Sequence, residues 1–322
     1  MKLGKVPESI YKRGNFRKYG IKRNIGTIDL REPCQDKKKK MIYVSETLYG
    51  YHIGLAFYAV TAAINKVLSQ KAVPTEVGLS IVLPSRYTEQ KLQKMIEHIT
   101  RASNAHTVKV AFVEAEVSPL LKSIMIHVIG VGEKENRVEK ESTQYMEEAS
   151  IVMTKAAGTQ GMLQILEEKK EELLTHFHSG FVEQAAMRKE ELFINTEIAC
   201  AMQDEEIDIQ PVCAGGIFEA LWTLSERQNM GLEIAIEKIA VRQETIEICE
   251  YFRLNPYRLA SSGTTLFVTR KADVFLEELH MRGVSGEVIG KLTKGNDKII
   301  LRGIEKSSLE KPCTDELLKL YT

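Results

Sequence analysis

The chain has 322 residues, in which 44 Lys and Arg are balanced by 44 Asp and Glu. That length exceeds the usual size of one hydrophobic core, so two domains are expected, and a formal charge of zero gives no electrostatic reason for a nucleic-acid or anionic-membrane partner. No apolar run reaches the roughly 18 residues of a membrane span and no signal-peptide layout is present, which points to a cytoplasmic protein.

Residues 1–40 are polar and turn-rich and read as an extended N-terminal arm, with the basic run at 37–40 as a solvated loop before a strand. Residues 41–45 read as a buried strand, 53–69 as a largely apolar helix, and 76–84 as a strand bounded by prolines. The stretch 88–103 predicts an amphipathic helix, with Thr88 as N-cap and Leu92, Met95, Ile96 and Ile99 on one face. Two β-branched-rich strands follow at 108–113 and 123–131. The order strand, helix, strand, helix, strand, strand predicts an α/β sandwich with one covered sheet face. The charged stretch 133–148 precedes a fresh strand at Ile151 and reads as a linker. The expected division is therefore an arm at 1–40, an N-terminal domain at 41–147 and a C-terminal domain at 148–322.

In the second half, 158–174 and 180–204 read as helices flanking His176 and His178. Histidines at i and i+2 leave a helix on different sides, so an interhelical turn is expected there rather than a shared metal site. Gly215 and Gly216 then run into an amphipathic helix whose inner face carries Ile217, Leu221 and Leu224, with Phe218 and Trp222 beside it. Gly231 suits the left-handed position that ends it. Strands are expected at 232–239, 265–269 and 286–293, a helix at 272–282, and a hairpin over 290–301 turning at Gly295, Asn296 and Asp297.

A glycine pair at a helix start lets backbone approach a ligand, and unpaired N–H groups with the helix dipole favour an anion such as phosphate. Ser261, Ser262 and Gly263, just before a strand, add donors of the same kind. Gly215, Gly216, Ser261, Ser262 and Gly263 are thus the candidate phosphate- or ligand-binding residues; the alternative for the glycines is close helix-on-sheet packing without a ligand. The five cysteines, Cys34, Cys200, Cys213, Cys249 and Cys313, are odd in number and widely spaced, so reduced thiols are expected. Cys249 lies in an apolar stripe and reads as packing, while Cys213, near the glycine pair, is the one position where a reactive thiol would have a site to act on.

Taken in order, the stretches at 151–161, 210–216, 239–259, 261–268 and 312–320 resemble the AIR synthase-related superfamily. Its members include aminoimidazole ribonucleotide synthetase, thiamine-monophosphate kinase, selenophosphate synthetase and a hydrogenase-maturation protein that dehydrates a carbamoyl group. The likeness is strongest to the hydrogenase-maturation-factor-like branch. It implies an α/β (α+β) two-domain AIR synthase-like fold, with N-terminal sheets pairing across a homodimer and a C-terminal α/β sandwich. It also implies ATP and magnesium as cofactors, the metal being held by N-terminal carboxylates.

The chain departs from that pattern where the ligands should stand. The family's early acidic pair corresponds to 24–29, where Asp29 is the acidic residue; a second aspartate corresponds to Glu46 and an Asn-Asp dipeptide to Asn65 and Lys66. Asp29, Glu46, Asn65 and Lys66 are thus the residual nucleotide-site positions, with Glu46 the candidate metal ligand and Lys66 of reversed charge. The family's acidic, histidine-bearing stretch before the glycine pair reads Gln210 to Gly216, and Gln160 stands where relatives often carry glutamate. The hydrogenase-maturation dehydratase has its working cysteine at the extreme C-terminus, whereas this sequence ends in Leu320, Tyr321 and Thr322, so that chemistry is not expected. Two functions follow from the resemblance: a degenerate member that binds a phosphorylated metabolite or a protein partner, or an ATP-dependent kinase or synthetase whose magnesium ligands have moved to Asp29, Glu46 or other acids.

Overall fold

A computed structural model describes residues 25–29, 39–135 and 148–321. The chain divides into two compact units, the first holding the described residues up to 135 together with 164–176, the second holding 148–163 and 177–321.

The first unit is built from β1 (Ile25–Asp29), β2 (Lys39–Gly50), α1 (Leu55–Leu68), β3 (Val73–Pro84), α2 (Glu89–Ala105), β4 (Lys109–Ser118) and β5 (Ile124–Glu135). The strands form one sheet in the order β1-β2-β5-β3-β4, antiparallel except for β3 with β4. Strand alternation turns Ile42, Val44 and Leu48, Val77, Leu79 and Ile81, and Ile124, Ile126 and Val128 into the core. Helix α1 packs on β2, β3 and β5 and against α2. Its alanine-rich sequence favours helix, and all fourteen of its residues are buried, the polar Thr61, Asn65 and Lys66 among them. Gly132 lets α1 approach β5, since a Cβ there would lie 2.3 Å from a Val67 methyl carbon. Thr88 caps α2 by accepting from the Lys91 N–H. Met95, Ile99 and Ala102 form the buried face of α2, whereas Ile96, expected beside them, is 37% exposed. On the opposite sheet face Ile129 is exposed, and Phe112 lies across Gly78 while remaining 52% exposed. Strand β1 falls within the stretch expected as an arm; the rest of that arm lies outside the described residues.

The second unit comprises β6 (Ser150–Thr154), the first turn of α3 (Thr159–Glu168), α5 (Ser179–Ala186), α6 (Asn195–Ala201), β7 (Asp208–Pro211), α7 (Gly216–Gln228), β8 (Gly231–Ala235), α8 (Gln243–Phe252), β9 (Thr265–Thr269), α9 (Ala272–Met281), β10 (Gly286–Thr293), β11 (Lys298–Arg302) and β12 (Glu305–Ser308). Between α3 and α5 lies α4 (Lys170–His176), so the single helix expected over 158–174 is two. His176 closes α4, and His178 caps α5 through Nδ1, which accepts the Gly180 N–H at 3.1 Å, as the interhelical-turn expectation requires.

Seven strands run in the order β12-β11-β8-β10-β6-β9-β7. On one face Ile151, Met153, Leu266 and Val268 pack with Ile217, Leu221 and Leu224 of α7. On the other, Phe267 meets Phe275 of α9 with ring centroids 4.9 Å apart. Two expectations are corrected. The hairpin over 290–301 does not form: β10 pairs antiparallel with β8, and β11 pairs parallel with β8 on its other side. Leu232 donates its N–H to the Asp297 carbonyl at 2.9 Å, which draws the turn onto the start of β8. Nor does Gly231 end α7; Asn229 takes the left-handed conformation at φ 52°, and Gly231 opens β8, where a Cβ would sit 2.6 Å from the Asp297 oxygen. Among the described residues no helix is long and apolar enough to cross a membrane.

Candidate functional site

In the first unit, the alternation of β2 that buries Ile42, Val44 and Leu48 also buries Glu46, which is 2% exposed. An unpaired carboxylate in such a layer is costly. Lys66, in the last turn of α1, lies over it, its Nζ in an ion pair with Glu46 Oε2 and donating to the Ser45 carbonyl at 3.0 Å. Asn65 is buried beside it. The structure therefore brings Glu46 and Lys66 together as one internal pair. The Asp29 backbone stands opposite Lys40 in the β1–β2 ladder, and its side chain lies outside the described residues. Among the described residues, no three His, Cys, Asp or Glu side chains cluster as metal ligands would.

In the second unit, the loops at 213–216 and 257–264 meet. Gly215 sits at φ 84° and Gly216 at φ 66°, conformations that strain other residues. A Cβ on Gly216 would lie 2.5 Å from the Tyr257 carbonyl oxygen and 2.8 Å from that of Leu259. The Cys213 carbonyl accepts from Gly216 N–H at 3.1 Å and from Ser261 N–H at 3.2 Å. The Ser261 hydroxyl accepts the Gly158 N–H at 2.6 Å and donates to the Leu259 carbonyl at 2.7 Å. Ser262 donates its N–H to Gln160 Oε1 at 3.1 Å. Gly263, at φ 102°, would clash through a Cβ with the Leu192 Cα at 2.6 Å. All five candidate residues thus come together, and all are buried.

The helix start is not bare, as the sequence led one to expect. The Gly215 N–H donates to Asp315 Oδ2 at 2.6 Å, and Oδ1 of the same carboxylate accepts the Leu317 N–H at 2.9 Å. Glu316 Oε2 accepts the Asn255 N–H at 3.1 Å, and Glu310 forms an ion pair with Arg258. An anion does sit at the start of α7, and it is the chain's own. Asp315 is the residue that sequence reasoning missed; it lies in the stretch 312–320, one hundred positions from its partner, and no local pattern links the two.

Beside this junction, Arg188 donates from Nη2 to Glu244 Oε1 at 2.9 Å, and Arg242 from Nη2 to Glu191 Oε1 at 2.8 Å. Burial pushes the Glu244 carboxyl upward, but hydrogen bonds and charge from Arg188, with Arg242, outweigh it and hold the group below its ordinary range. Burial, with a smaller push from Glu316, raises the Cys249 thiol to about 12, which keeps it protonated and inert as the packing expectation holds. Cys213 is half-buried.

Residues 146–302 match the family described as AIR synthase related protein, C-terminal domain. Over 253 residues the chain is 25% identical to a putative hydrogenase expression/formation protein of Methanocaldococcus jannaschii, spanning 76% of this chain and 72% of that one. Among solved structures, Escherichia coli HypE, a hydrogenase maturation protein, is similar with a TM-score of 0.70 at 14% identity, covering 86% of this chain and 88% of that chain. HypE in complex with ATP is similar with a TM-score of 0.65 at 15% identity, covering 90% of this chain and 88% of that chain. The fold is AIR synthase-like, with mixed helices and two sheets, and the resemblance expected from the residues is found again in the C-terminal family match and in the similarity to the Methanocaldococcus jannaschii protein.

Proposed function

We propose, from the premise that this chain carries an AIR synthase related C-terminal domain, that it is a HypE-like protein without efficient metal-ATP chemistry, acting by binding a phosphorylated metabolite or a protein partner. The observation behind this reading is the Lys66–Glu46 pair. Magnesium demands several hard oxygen ligands in octahedral array and a surplus of negative charge. Of the candidate ligand positions with described side chains, Glu46 alone is acidic, and its charge is already neutralised by an internal ammonium. The arrangement does not fit a dication. Lys66 already pairs with the carboxylate oxygen that a metal would need.

A phosphorylated ligand at Gly215 and Gly216 has to compete with Asp315, which already holds the Gly215 N–H. Tight anion binding there requires the segment carrying Asp315 to move. The same reading includes a homodimer through the first unit's sheet, supported by the exposed Phe112 and Ile129 on the face away from α1.

The alternative is an ATP-dependent kinase or synthetase with relocated ligands, and the likeness to an ATP-bound HypE is what favours it. Calorimetry with ATP, with and without magnesium, separates the two. The proposal expects no magnesium-dependent binding and no turnover. Tight binding that strictly requires magnesium, with turnover lost in Glu46→Gln, overturns it.

A further inference from the structure

One end of the five-stranded sheet gathers chain segments that the sequence keeps far apart. Gly50 of β2 faces Ile124 of β5, Val82 of β3 faces Met125 of β5, and Pro84 of β3 faces Ser118 of β4. The connections leaving these strand ends therefore meet. They place Tyr51, Arg86, Tyr87, Leu120 and Lys122 together, and the first turn of α2 adds Lys91.

The cluster is preorganised. The Arg86 guanidinium lies 5.4 Å from the Tyr51 ring centroid and 5.9 Å from that of Tyr87, and Lys91 Nζ lies 5.0 Å from the Tyr87 centroid. Arg86 Nη2 donates to the Lys122 carbonyl at 3.0 Å, and the Tyr87 hydroxyl donates to the Tyr51 carbonyl. Nevertheless Arg86, Lys91 and Lys122 are exposed, Tyr51 is 39% exposed and Leu120 is 89% exposed. Among the described residues none of these three cations has a carboxylate partner. The neighbouring acids are otherwise engaged: Glu168 accepts the Tyr51 N–H at 2.9 Å, and Glu167 lies 3.0 Å from the His52 ring. Three cations without an ion-pair partner among the described residues are thus held around two aromatic rings on one exposed surface.

We infer that this sheet end docks a partner protein through an acidic segment bearing an apolar side chain. Tyrosine and arginine are the side chains that dominate protein interfaces, because they bury large area at low entropic cost. The three cations supply the charge that an acidic segment answers, and Leu120 supplies an apolar contact that a phosphate backbone would leave unused. Three cations also make too few phosphate contacts for stable nucleic-acid binding. The inference is independent of whether the chain binds nucleotide.

The probe is a fluorescein-labelled peptide of alternating glutamate and leucine, titrated against the full chain by fluorescence anisotropy. Binding is expected to weaken about tenfold or more in an Arg86→Ala/Lys122→Ala variant and in Leu120→Ser, at positions exposed enough to leave the fold intact. It should also fall with added salt. Circular dichroism of each variant confirms folding, and Lys91→Glu provides a third substitution at an exposed site. Absence of binding by the wild type, affinity unchanged in the variants, equal affinity for the same peptide with lysine in place of glutamate, or a preference for poly-uridine or phosphatidylserine vesicles would each overturn the inference.

Discussion

The Lys66 ammonium rests on the Glu46 carboxylate inside the layer between α1 and β2, with the two side chains 10% and 1% exposed. Removing one member leaves the other charged in a layer lined by Val44 and Leu48. Lys66→Met is therefore expected to destabilise the first unit by about 3–5 kcal/mol, whereas Glu46→Leu with Lys66→Met recovers most of the loss. Urea denaturation of the single and double variants checks this. Equal stability of Lys66→Met and wild type would mean that the pair does not hold α1 to β2.

Gly216→Ala is expected to cost roughly 2–4 kcal/mol, because the new Cβ meets backbone oxygens that cannot swing away and φ is strained for any other residue. Gly283 is the matched control. It too has positive φ, at 76°, but no atom lies within 4 Å of its built Cβ, so Gly283→Ala should cost only about 1–2 kcal/mol. Thermal melts that rank the two in the opposite order would refute the packing account of Gly216.

The Glu244 carboxyl, held low by Arg188, makes stability depend on acid pH. Its folded value lies below its unfolded one, so its contribution is fully present above the ordinary glutamate range and is lost as pH falls through the depressed folded value. Melting temperature should drop steadily below about pH 4.5 in the wild type, and that part of the drop should be missing in Glu244→Gln. Parallel acid limbs in the two proteins would show that Glu244 contributes nothing to them.

The proposed homodimer predicts a particle of twice the 36.4 kDa chain mass in light scattering at micromolar concentration. Ile129→Lys and Phe112→Glu, on the sheet face away from α1, should shift it to the single-chain mass. A wild-type mass near 36.4 kDa would remove the dimer from the proposal.

Periodicity made most of the core legible. Apolar and β-branched runs located β3, β5 and β9, the last buried on both faces, and the spacing of Ile217, Leu221 and Leu224 located α7, because that spacing reflects burial on one helix face. Strand β1 was hidden, since a short edge strand needs little apolar signal, and so was β12, whose residues are all exposed. The glycine pair was read as a place of close backbone approach, and it is one. What approaches is the Tyr257–Leu259 backbone, and the anion is Asp315. Both are long-range partners that no local propensity encodes.

Strand β8 lies between β10 and β11, although it precedes both in the chain and they follow one another directly. Strand β8 therefore cannot enter the sheet by zipping onto a sequence neighbour, as β11 and β12 do in their hairpin. Residues 231–235 must wait until more than fifty further positions have been made before gaining either flanking strand. Assembly is then governed by closure of long loops, the feature that slows folding most strongly at a given stability. During synthesis, β8 leaves the ribosome as an apolar segment with both edges open, and its protection arrives only with the last strands.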